Sequence, residues 1–136
     1  MRLFLKILLA AVLLIGIVAA IQQYAAESGE VVVLQVADDQ GATHETRLWI
    51  VDHDGSPWLR AGFAESGWYQ RLLLAELISI ERNGTRRVYV ATPEPGAKAA
   101  IDQAMQDKYG WADSYIGKLF GGRDAAVPIR LRPHTG

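Results

Sequence analysis

The dipeptide Asp54-Gly55 constrains the fold of this chain most, because it predicts a tight antiparallel hairpin. Both residue types tolerate the positive φ that a two-residue turn requires. The flanking segments are rich in apolar and aromatic residues, as β-strands are. The turn therefore predicts a register of three facing pairs: His53 with Ser56, Val51 with Trp58, and Trp49 with Arg60.

Strand alternation divides this hairpin into two faces. One face is aliphatic and predicts a core surface, made by Leu48, Ile50, Leu59 and Ala61. The other face mixes arginine with indole and consists of Arg47, Trp49, Val51, Trp58, Arg60 and Gly62. The mixed face suits a flat, charged ligand, and it also suits aromatic side chains half-buried at a subunit contact. The hairpin alone favours the second interpretation, in which the aromatic side chains pack at a subunit contact.

An apolar run near the N-terminus predicts a membrane-crossing helix. Residues 3–21 contain Lys6 as their one charged side chain, and a helix needs roughly 20 apolar residues to cross a bilayer. Arg2 and Lys6 precede or begin the run and acidic residues follow it, so we expect a cytoplasmic N-terminus and an external domain. A signal peptide cleaved near residues 18–20 and a buried core helix are the alternatives. A retained anchor over residues 1–26, in contact with membrane lipid, is preferred because the run is long for a signal peptide.

The remaining segment, residues 27–136, has the length of one domain. The net charge of −1 gives no reason to expect a nucleic-acid partner. The sequence has no cysteine, which excludes thiolate metal ligands and cysteine nucleophiles. The three histidines do not stand at ligand spacing, so no metal site is predicted.

Further turn signals and periodicity predict the other elements. Asn83-Gly84 predicts a second tight hairpin, and Ser66 is a candidate cap for a short helix. The predicted order is a strand at 30–37, the first hairpin, a helix at 67–75, strands at 77–82 and 85–92, helices at 97–108 and 112–120, a turn at Gly121-Gly122, and a strand at 127–132.

This order predicts an α+β, mainly β fold: a small antiparallel β-barrel with covering helices, preceded by one transmembrane helix. The helix at 97–108 should pack Ile101 and Met105 inward. Pro128 should lie on an edge strand or at the start of its strand, because proline cannot donate to a sheet ladder.

Several motifs carry a resemblance to a known superfamily across residues 43–133. They are Thr46-Arg47-Leu-Trp-Ile-Val, Asp54-Gly55, Trp58-Leu-Arg60, Trp68-Tyr69-x-x-Leu72, Gly84 with Arg87-x-Tyr89-x-Ala91, Lys108-Tyr109-Gly110 and Val127-Pro-Ile-Arg-Leu131. The chain resembles the flavin/deazaflavin-binding split-barrel superfamily of pyridoxamine-phosphate oxidases and deazaflavin-dependent nitroreductases. It resembles the uncharacterised members of that superfamily in particular.

The sequence departs from the deazaflavin branch at two places. Arg71 stands where that branch has asparagine in its tryptophan-tyrosine-x-asparagine-leucine helix. The glycine-arginine-lysine-serine-glycine phosphate loop of the branch is replaced by His44-Glu45-Thr46-Arg47. The resemblance therefore implies the split-barrel fold more strongly than a particular cofactor.

The predicted cofactor is FMN or a deazaflavin. Arginines suit its phosphate, and aromatic side chains suit its ring. The candidate cofactor-binding residues are Arg47, Trp49, Arg60, Trp68, Tyr69 and Arg71. The phosphate should lie near Arg60 and Arg71, with Arg47 assisting. Both head groups are expected to face the pocket, and that of Arg71 should reach back over the start of its helix. The alternatives are ordinary surface ion pairs for the arginines, and core or dimer contacts for the aromatic residues.

Two functions follow from these observations. The first is a membrane-anchored reductase that uses a flavin or deazaflavin to reduce a quinone or nitro-type acceptor, with the catalytic residues unassigned. The second is a split-barrel protein without redox activity that binds a ligand or partner at the membrane surface. Split barrels of this type often pair, so a homodimer around Trp58 and Trp68 is also expected.

Overall fold

The computed structural model describes residues 1–27, 29–119 and 124–135. The turn predicted at Gly121-Gly122 and the last residue of the helix predicted at 112–120 lie outside the described residues. The elements in chain order are α1 (Arg2–Glu27), β1 (Val31–Ala37), β2 (Thr43–Trp49), β3 (Val51–His53), β4 (Ser56–Ala61), α2 (Gly67–Leu74), β5 (Ile78–Arg82), β6 (Thr85–Pro93), α3 (Lys98–Tyr109), α4 (Trp111–Leu119) and β7 (Val127–Pro133). A 3₁₀ turn at Pro95–Ala97 leads into α3.

Within the described residues, seven strands form one antiparallel sheet in the order β2-β1-β5-β6-β7-β4-β3. The two outermost strands, β2 and β3, are separated in sequence only by Ile50. The two edges of the sheet are therefore joined by one residue, which requires the sheet to curl into a barrel with a seam at that point. The predicted α+β split barrel is confirmed.

Both predicted hairpin turns are present. Asp54 and Gly55 have φ of 53° and 77°, and Asn83 and Gly84 have φ of 53° and 78°. Positive φ at both central positions is the geometry that matches the twist of two paired strands. Around the first turn, His53 pairs with Ser56 and Val51 pairs with Trp58, as predicted.

The third predicted pair of this hairpin, Trp49 with Arg60, is wrong. Trp49 pairs with Val31 of β1, and Arg60 pairs with Pro128 of β7. The cause is the break at Ile50, where the chain leaves the far edge of the sheet at β2 and enters the opposite edge at β3.

The break at Ile50 is closed by a side chain from α3. Ile50 is 1% exposed, so its backbone groups need partners inside the protein. Its N–H donates to the Tyr109 hydroxyl at 3.0 Å, and its carbonyl oxygen lies 2.9 Å from that hydroxyl and accepts from Lys108 Nζ at 2.7 Å. The Tyr109 hydroxyl also donates to the Glu30 carbonyl oxygen at 2.6 Å. Burial raises the pKa of Tyr109 to about 12.

A cluster of charges holds the same end of the barrel. Arg82, just before the second tight turn, makes ion pairs with Glu30 at 2.9 Å and Asp52 at 2.7 Å. Lys108 contacts Glu30 at 2.7 Å. The hydrogen bond from Arg82 is the main cause that lowers the pKa of Glu30, and it also lowers the pKa of Asp52. The start of β1 is therefore tied to β3, β5 and α3.

Two apolar clusters use the two faces of the sheet. The inner one contains the aliphatic face predicted for the first hairpin and is formed by Val32, Leu34, Val36, Ile50, Leu59, Ala61, Tyr69, Leu72, Ile78, Ile80, Tyr89, Ile129 and Leu131. The outer one lies under α3 and is formed by Val51, Trp58, Ile101, Met105 and Tyr109. Ile101 and Met105 are 0% and 1% exposed, which confirms their predicted inward orientation.

Pro128 lies near the start of β7, as one of its two predicted placements required. The edge placement is wrong, because β7 lies between β6 and β4. As the second residue of its strand, Pro128 removes a ladder donor only where the ladder begins.

Helix α1 contains an apolar stretch, Arg2–Ile21, that is long enough to cross a membrane. None of this stretch is buried against the rest of the chain, in contrast to a core helix. Its length, composition and N-terminal location also fit a signal sequence. Beyond the apolar stretch, α1 contacts α4, where the rings of Tyr24 and Trp111 stack with centroids 6.0 Å apart.

Candidate functional site

A groove of about 650 Å³ opens beside the start of α2. It is lined by residues of β2, β4, the loop before α2, the first turn of α2 and α4. The lining residues are Thr46, Arg47, Leu48, Arg60, Gly62, Phe63, Glu65, Ser66, Gly67, Trp68 and Ile116.

The groove brings together three of the six predicted cofactor-binding residues. Arg47 is exposed on β2, Arg60 lies on β4, and Trp68 is half-buried in the first turn of α2. The groove therefore combines cationic side chains with an indole, which is the composition expected of a site for a flat anionic ligand.

Arg60 is already bound to acidic side chains. Its side chain is 4% exposed and forms ion pairs with Asp102 of α3 at 3.3 Å and with Asp113 of α4. Arg60 therefore lines the groove, but its guanidinium is already engaged by carboxylates. Two carboxylates offset its charge, so Arg60 joins α3 and α4 to the barrel and offers little positive charge to a ligand.

The start of α2 is better suited to an anion than Arg60 is. Ser66 precedes the helix but does not cap it with its side chain, and its hydroxyl donates to the Phe63 carbonyl oxygen at 2.9 Å instead. The predicted role of Ser66 as a side-chain cap is therefore wrong. The positive end of the helix dipole faces the groove at Gly67 without that serine oxygen.

Arg71 reaches back over this helix start, as predicted. A Cβ added to Gly67 would lie 3.4 Å from Arg71 Nη1. Arg71 Nε is buried and, among the described residues, has no hydrogen-bond partner. Arg71 is not among the residues that line the groove, and its side chain borders a second cavity of about 280 Å³ that is shared with Asp38 and Asp39. Arg71 therefore lies between the acidic turn that follows β1 and the start of α2, and its Nε is able to donate a hydrogen bond to a ligand.

Trp49 and Tyr69 lie outside the groove lining. The Trp49 ring stacks on Tyr109, with centroids 4.3 Å apart and an 8° angle between the planes. Tyr69 is 6% exposed and belongs to the inner core. Both therefore contribute to packing in this structure, and Tyr69 makes an edge contact with Trp68 of the groove.

Sequence reasoning missed the residues that complete the groove and bind Arg60. Phe63, which is 45% exposed, and Ile116 contribute apolar surface. Asp102 and Asp113 provide the counter-charges. Asp113 is the one of these residues with a signal that points to an ion pair, because it is an acidic residue on the face of α4 that is buried together with Ala112 and Gly117.

Trp58 is unavailable for the contact predicted between two protomers. It is 2% exposed, lies in the outer core beneath α3, and donates its indole N–H to the His53 carbonyl oxygen at 2.9 Å. The expected homodimer stays a prediction, and only Trp68 of the two named tryptophans has surface to contribute.

Comparison with known proteins agrees with this architecture. The family described as "Uncharacterized protein conserved in bacteria (DUF2255)" matches residues 21–131. No curated protein matches the sequence. Among solved structures, the conserved hypothetical protein Rv2991 from Mycobacterium tuberculosis is similar over 85% of this chain and 79% of its own, at 20% identity and a TM-score of 0.57.

Two other similar structures carry functional names. The heme storage protein HutZ from Vibrio cholerae is 15% identical over 84% of this chain and 88% of its own, with a TM-score of 0.59. A candidate pyridoxamine 5′-phosphate oxidase from Listeria innocua is 13% identical over 83% of this chain and 90% of its own, with a TM-score of 0.58. At these identities the similarity establishes the shared fold.

Proposed function

Because this chain belongs to the DUF2255 family of bacterial proteins and has the split-barrel fold, we propose that it is a membrane-anchored protein that binds a flavin-type cofactor in the groove beside α2. FMN or a deazaflavin is the cofactor, and a quinone or nitro-type compound is the electron acceptor. In this proposal, α1 remains in the bilayer and the barrel lies on the non-cytoplasmic side.

The start of α2 is the observation that carries the proposal. It combines a helix N-terminus that Ser66 does not cap with a guanidinium whose buried Nε has no partner among the described residues. A phosphate oxygen accepts such donors, and bonds of this charge-assisted kind are about twice as strong as neutral ones. The residues present therefore fit the phosphate of such a cofactor.

The side chains divide the proposed binding between them. Arg71 and the first amides of α2 hold the phosphate, and Arg47 adds positive charge from β2. Trp68 and Phe63 exclude water from the ring. Arg60, held by Asp102 and Asp113, keeps α4 against the barrel and so fixes the groove wall that carries Ile116. When bound, the cofactor itself supplies the hydride chemistry.

A second candidate is a ligand-binding protein without redox activity. The neutralised Arg60 favours it, because one of the three arginines expected at the phosphate already has carboxylate partners. Heme is one ligand to test, since HutZ is named for its storage. The described groove lining, however, contains no histidine, methionine, cysteine or tyrosine that could bind the heme iron axially.

Titration of the full-length protein in detergent or nanodiscs tests the cofactor. We expect FMN to bind with quenching of its fluorescence. Each bond from a charged group contributes about 1.5–3 kcal/mol, so Arg71→Gln or Arg47→Gln should weaken FMN binding by roughly tenfold to a hundredfold. Riboflavin, which lacks the phosphate, should bind the variants and the wild type alike.

Arg132→Gln is the matched control, because Arg132 is an exposed arginine on β7 away from the groove. It should leave FMN affinity unchanged. A wild-type protein that binds none of FMN, riboflavin and a deazaflavin refutes the redox proposal. Heme binding under the same conditions would favour the second candidate.

The anchor is tested independently of the cofactor. The protein should stay with the membrane fraction after high-salt and carbonate washes, since an integral helix is held by its apolar contact with lipid. Release of the intact domain would refute anchoring. A mature protein that begins near Ile21 would identify the segment as a signal peptide.

A further inference from the structure

The outward face of α4 is an unexplained amphipathic surface next to the proposed anchor. Trp111, Tyr115 and Lys118 follow the i, i+4, i+7 spacing that places side chains on one side of a helix. Trp111 is 53% exposed and Lys118 is exposed. On the opposite side, Ala112, Asp113 and Gly117 are buried against the barrel.

Contacts with α1 fix the height of this face above the bilayer. A helix rises 1.5 Å per residue, so the stretch Arg2–Ile21 is about 30 Å long, which is the thickness of the hydrocarbon core. Tyr24 lies three residues further, about 5 Å beyond that core. Trp111 stacks on Tyr24 at 6.0 Å with a 15° angle between the rings, and Tyr115 contacts Trp111 edge-on at 6.3 Å.

In the membrane-anchored protein proposed above, these three rings lie at the level of the lipid headgroups. Tryptophan and tyrosine are enriched at that level because their rings are apolar and their N–H and O–H groups are polar. A lysine beside them can place its stem along the apolar zone and its ammonium among the phosphates. The nearby acidic residues Glu30 and Asp52 do not oppose this arrangement, because Arg82 and Lys108 pair with them.

We propose that the face of α4 formed by Trp111, Tyr115 and Lys118 is a lipid-contacting surface that seats the barrel on the bilayer headgroups. The inference rests on the membrane anchoring proposed above, but not on the identity of the cofactor. Because Ile116 of the same helix lines the groove, the groove lies beside the membrane, within reach of electron acceptors that dissolve in the lipid.

The absence of cysteine from the sequence makes a single-label experiment possible. The full-length protein carrying Lys118→Cys is labelled with an environment-sensitive fluorophore and reconstituted in phosphatidylcholine vesicles with or without headgroup-nitroxide lipid. The matched control is Gln40→Cys, an exposed position in the turn after β1. With seven residues in β1, this turn lies about 23 Å from the anchored end.

We expect nitroxide lipid to quench the label on the Lys118→Cys variant and to leave that on the Gln40→Cys variant unquenched. In the Lys118→Cys background, Trp111→Ala should lose much of the quenching, and Trp111→Phe should keep it. Equal quenching at the two label positions, or no loss with Trp111→Ala, would overturn the proposal.

Vesicle flotation of the same labelled samples tests the anchoring by α1 separately from the seating of α4 on the lipid. Protein that fails to float overturns the anchoring itself. Protein that floats without selective quenching at the Lys118→Cys position keeps the anchor and overturns the seating of α4. FMN titration of the floated vesicles tests the cofactor separately from both.

Discussion

Replacing Tyr109 by phenylalanine removes one hydroxyl from the seam of the barrel and leaves the ring in place. The hydroxyl accepts the N–H of Ile50 at 3.0 Å and donates to the Glu30 carbonyl oxygen at 2.6 Å. Without it, both groups lose their partner in a region where Ile50 is 1% exposed. The Ile50 carbonyl oxygen keeps its bond from Lys108 Nζ.

The expected loss follows from these contacts. A buried polar group left without a partner costs about 1–3 kcal/mol. The Ile50 N–H is fully enclosed and the Glu30 carbonyl is partly enclosed, so we expect the free energy of unfolding to fall by about 2 kcal/mol. This lowers the ratio of folded to unfolded protein by about 30-fold.

Urea denaturation of the full-length protein in detergent measures this change. With a denaturant slope on the order of 2 kcal/mol per molar, the unfolding midpoint should fall by about 1 M. Tyr115→Phe, a half-buried tyrosine on α4, is the matched control and should change the midpoint little. Equal midpoints for the two variants would refute the claim that the Tyr109 hydroxyl satisfies the seam.

The shifted pKa of the same hydroxyl makes the free energy of unfolding depend on pH. The pKa of Tyr109 is about 12 in the folded protein and 10 in its ordinary state, chiefly because of burial. Above pH 10 the unfolded chain releases this proton before the native protein does. The contribution of this shifted pKa to the free energy of unfolding is therefore complete below pH 10. It is lost as the pH rises through 12, at no more than about 1.4 kcal/mol per pH unit. Tyr109→Phe should lack this component, and urea midpoints across that range measure the difference.

Two further substitutions test the turn and the ion pairs. Gly55→Val should lower the free energy of unfolding by about 1–3 kcal/mol, because φ at this position is +77°. The space that an added Cβ would occupy is open, so backbone strain alone causes the loss. An equal loss of melting temperature with Gly96→Val, where φ is not positive, would contradict this prediction. Arg60→Ala should cost about 3–5 kcal/mol because it removes a guanidinium, 4% exposed, that forms ion pairs with Asp102 and Asp113. A melting temperature as little changed as that of exposed Arg132→Ala would contradict the buried pair.

Local chemistry explains which parts of the fold could be predicted from the sequence. Asp54-Gly55 and Asn83-Gly84 require positive φ within two residues, so each turn is specified where it occurs. The break at Ile50 has no such signal, because apolar alternation continues through it. The break depends on the sheet order, which brings β1 to one side of the seam and β4 to the other.

In the candidate site, too, features set by neighbouring residues could be predicted from the sequence, and features set by long-range packing could not. The head group of Arg71 could be predicted over the helix start because helical side chains point toward the N-terminus. The partners of Arg60 could not, since Asp102 and Asp113 lie 42 and 53 residues further along the chain. Their proximity depends on how α3 and α4 pack on the barrel, and no short-range pattern encodes that packing.

The break at Ile50 also leaves two outer strand edges, one on β2 and one on β3, which bear on aggregation. Among the described residues, β2 and β3 are the outermost strands of the sheet, and outer strand edges can recruit strands from other molecules. β3 has only three residues, and β2 presents the exposed charges of Glu45 and Arg47. Both edges are therefore poor templates for sheet extension, which would matter most if the proposed anchor concentrates copies of the protein in two dimensions. A homodimer of this protein should therefore join through its helices or sheet faces and leave the strand edges apart.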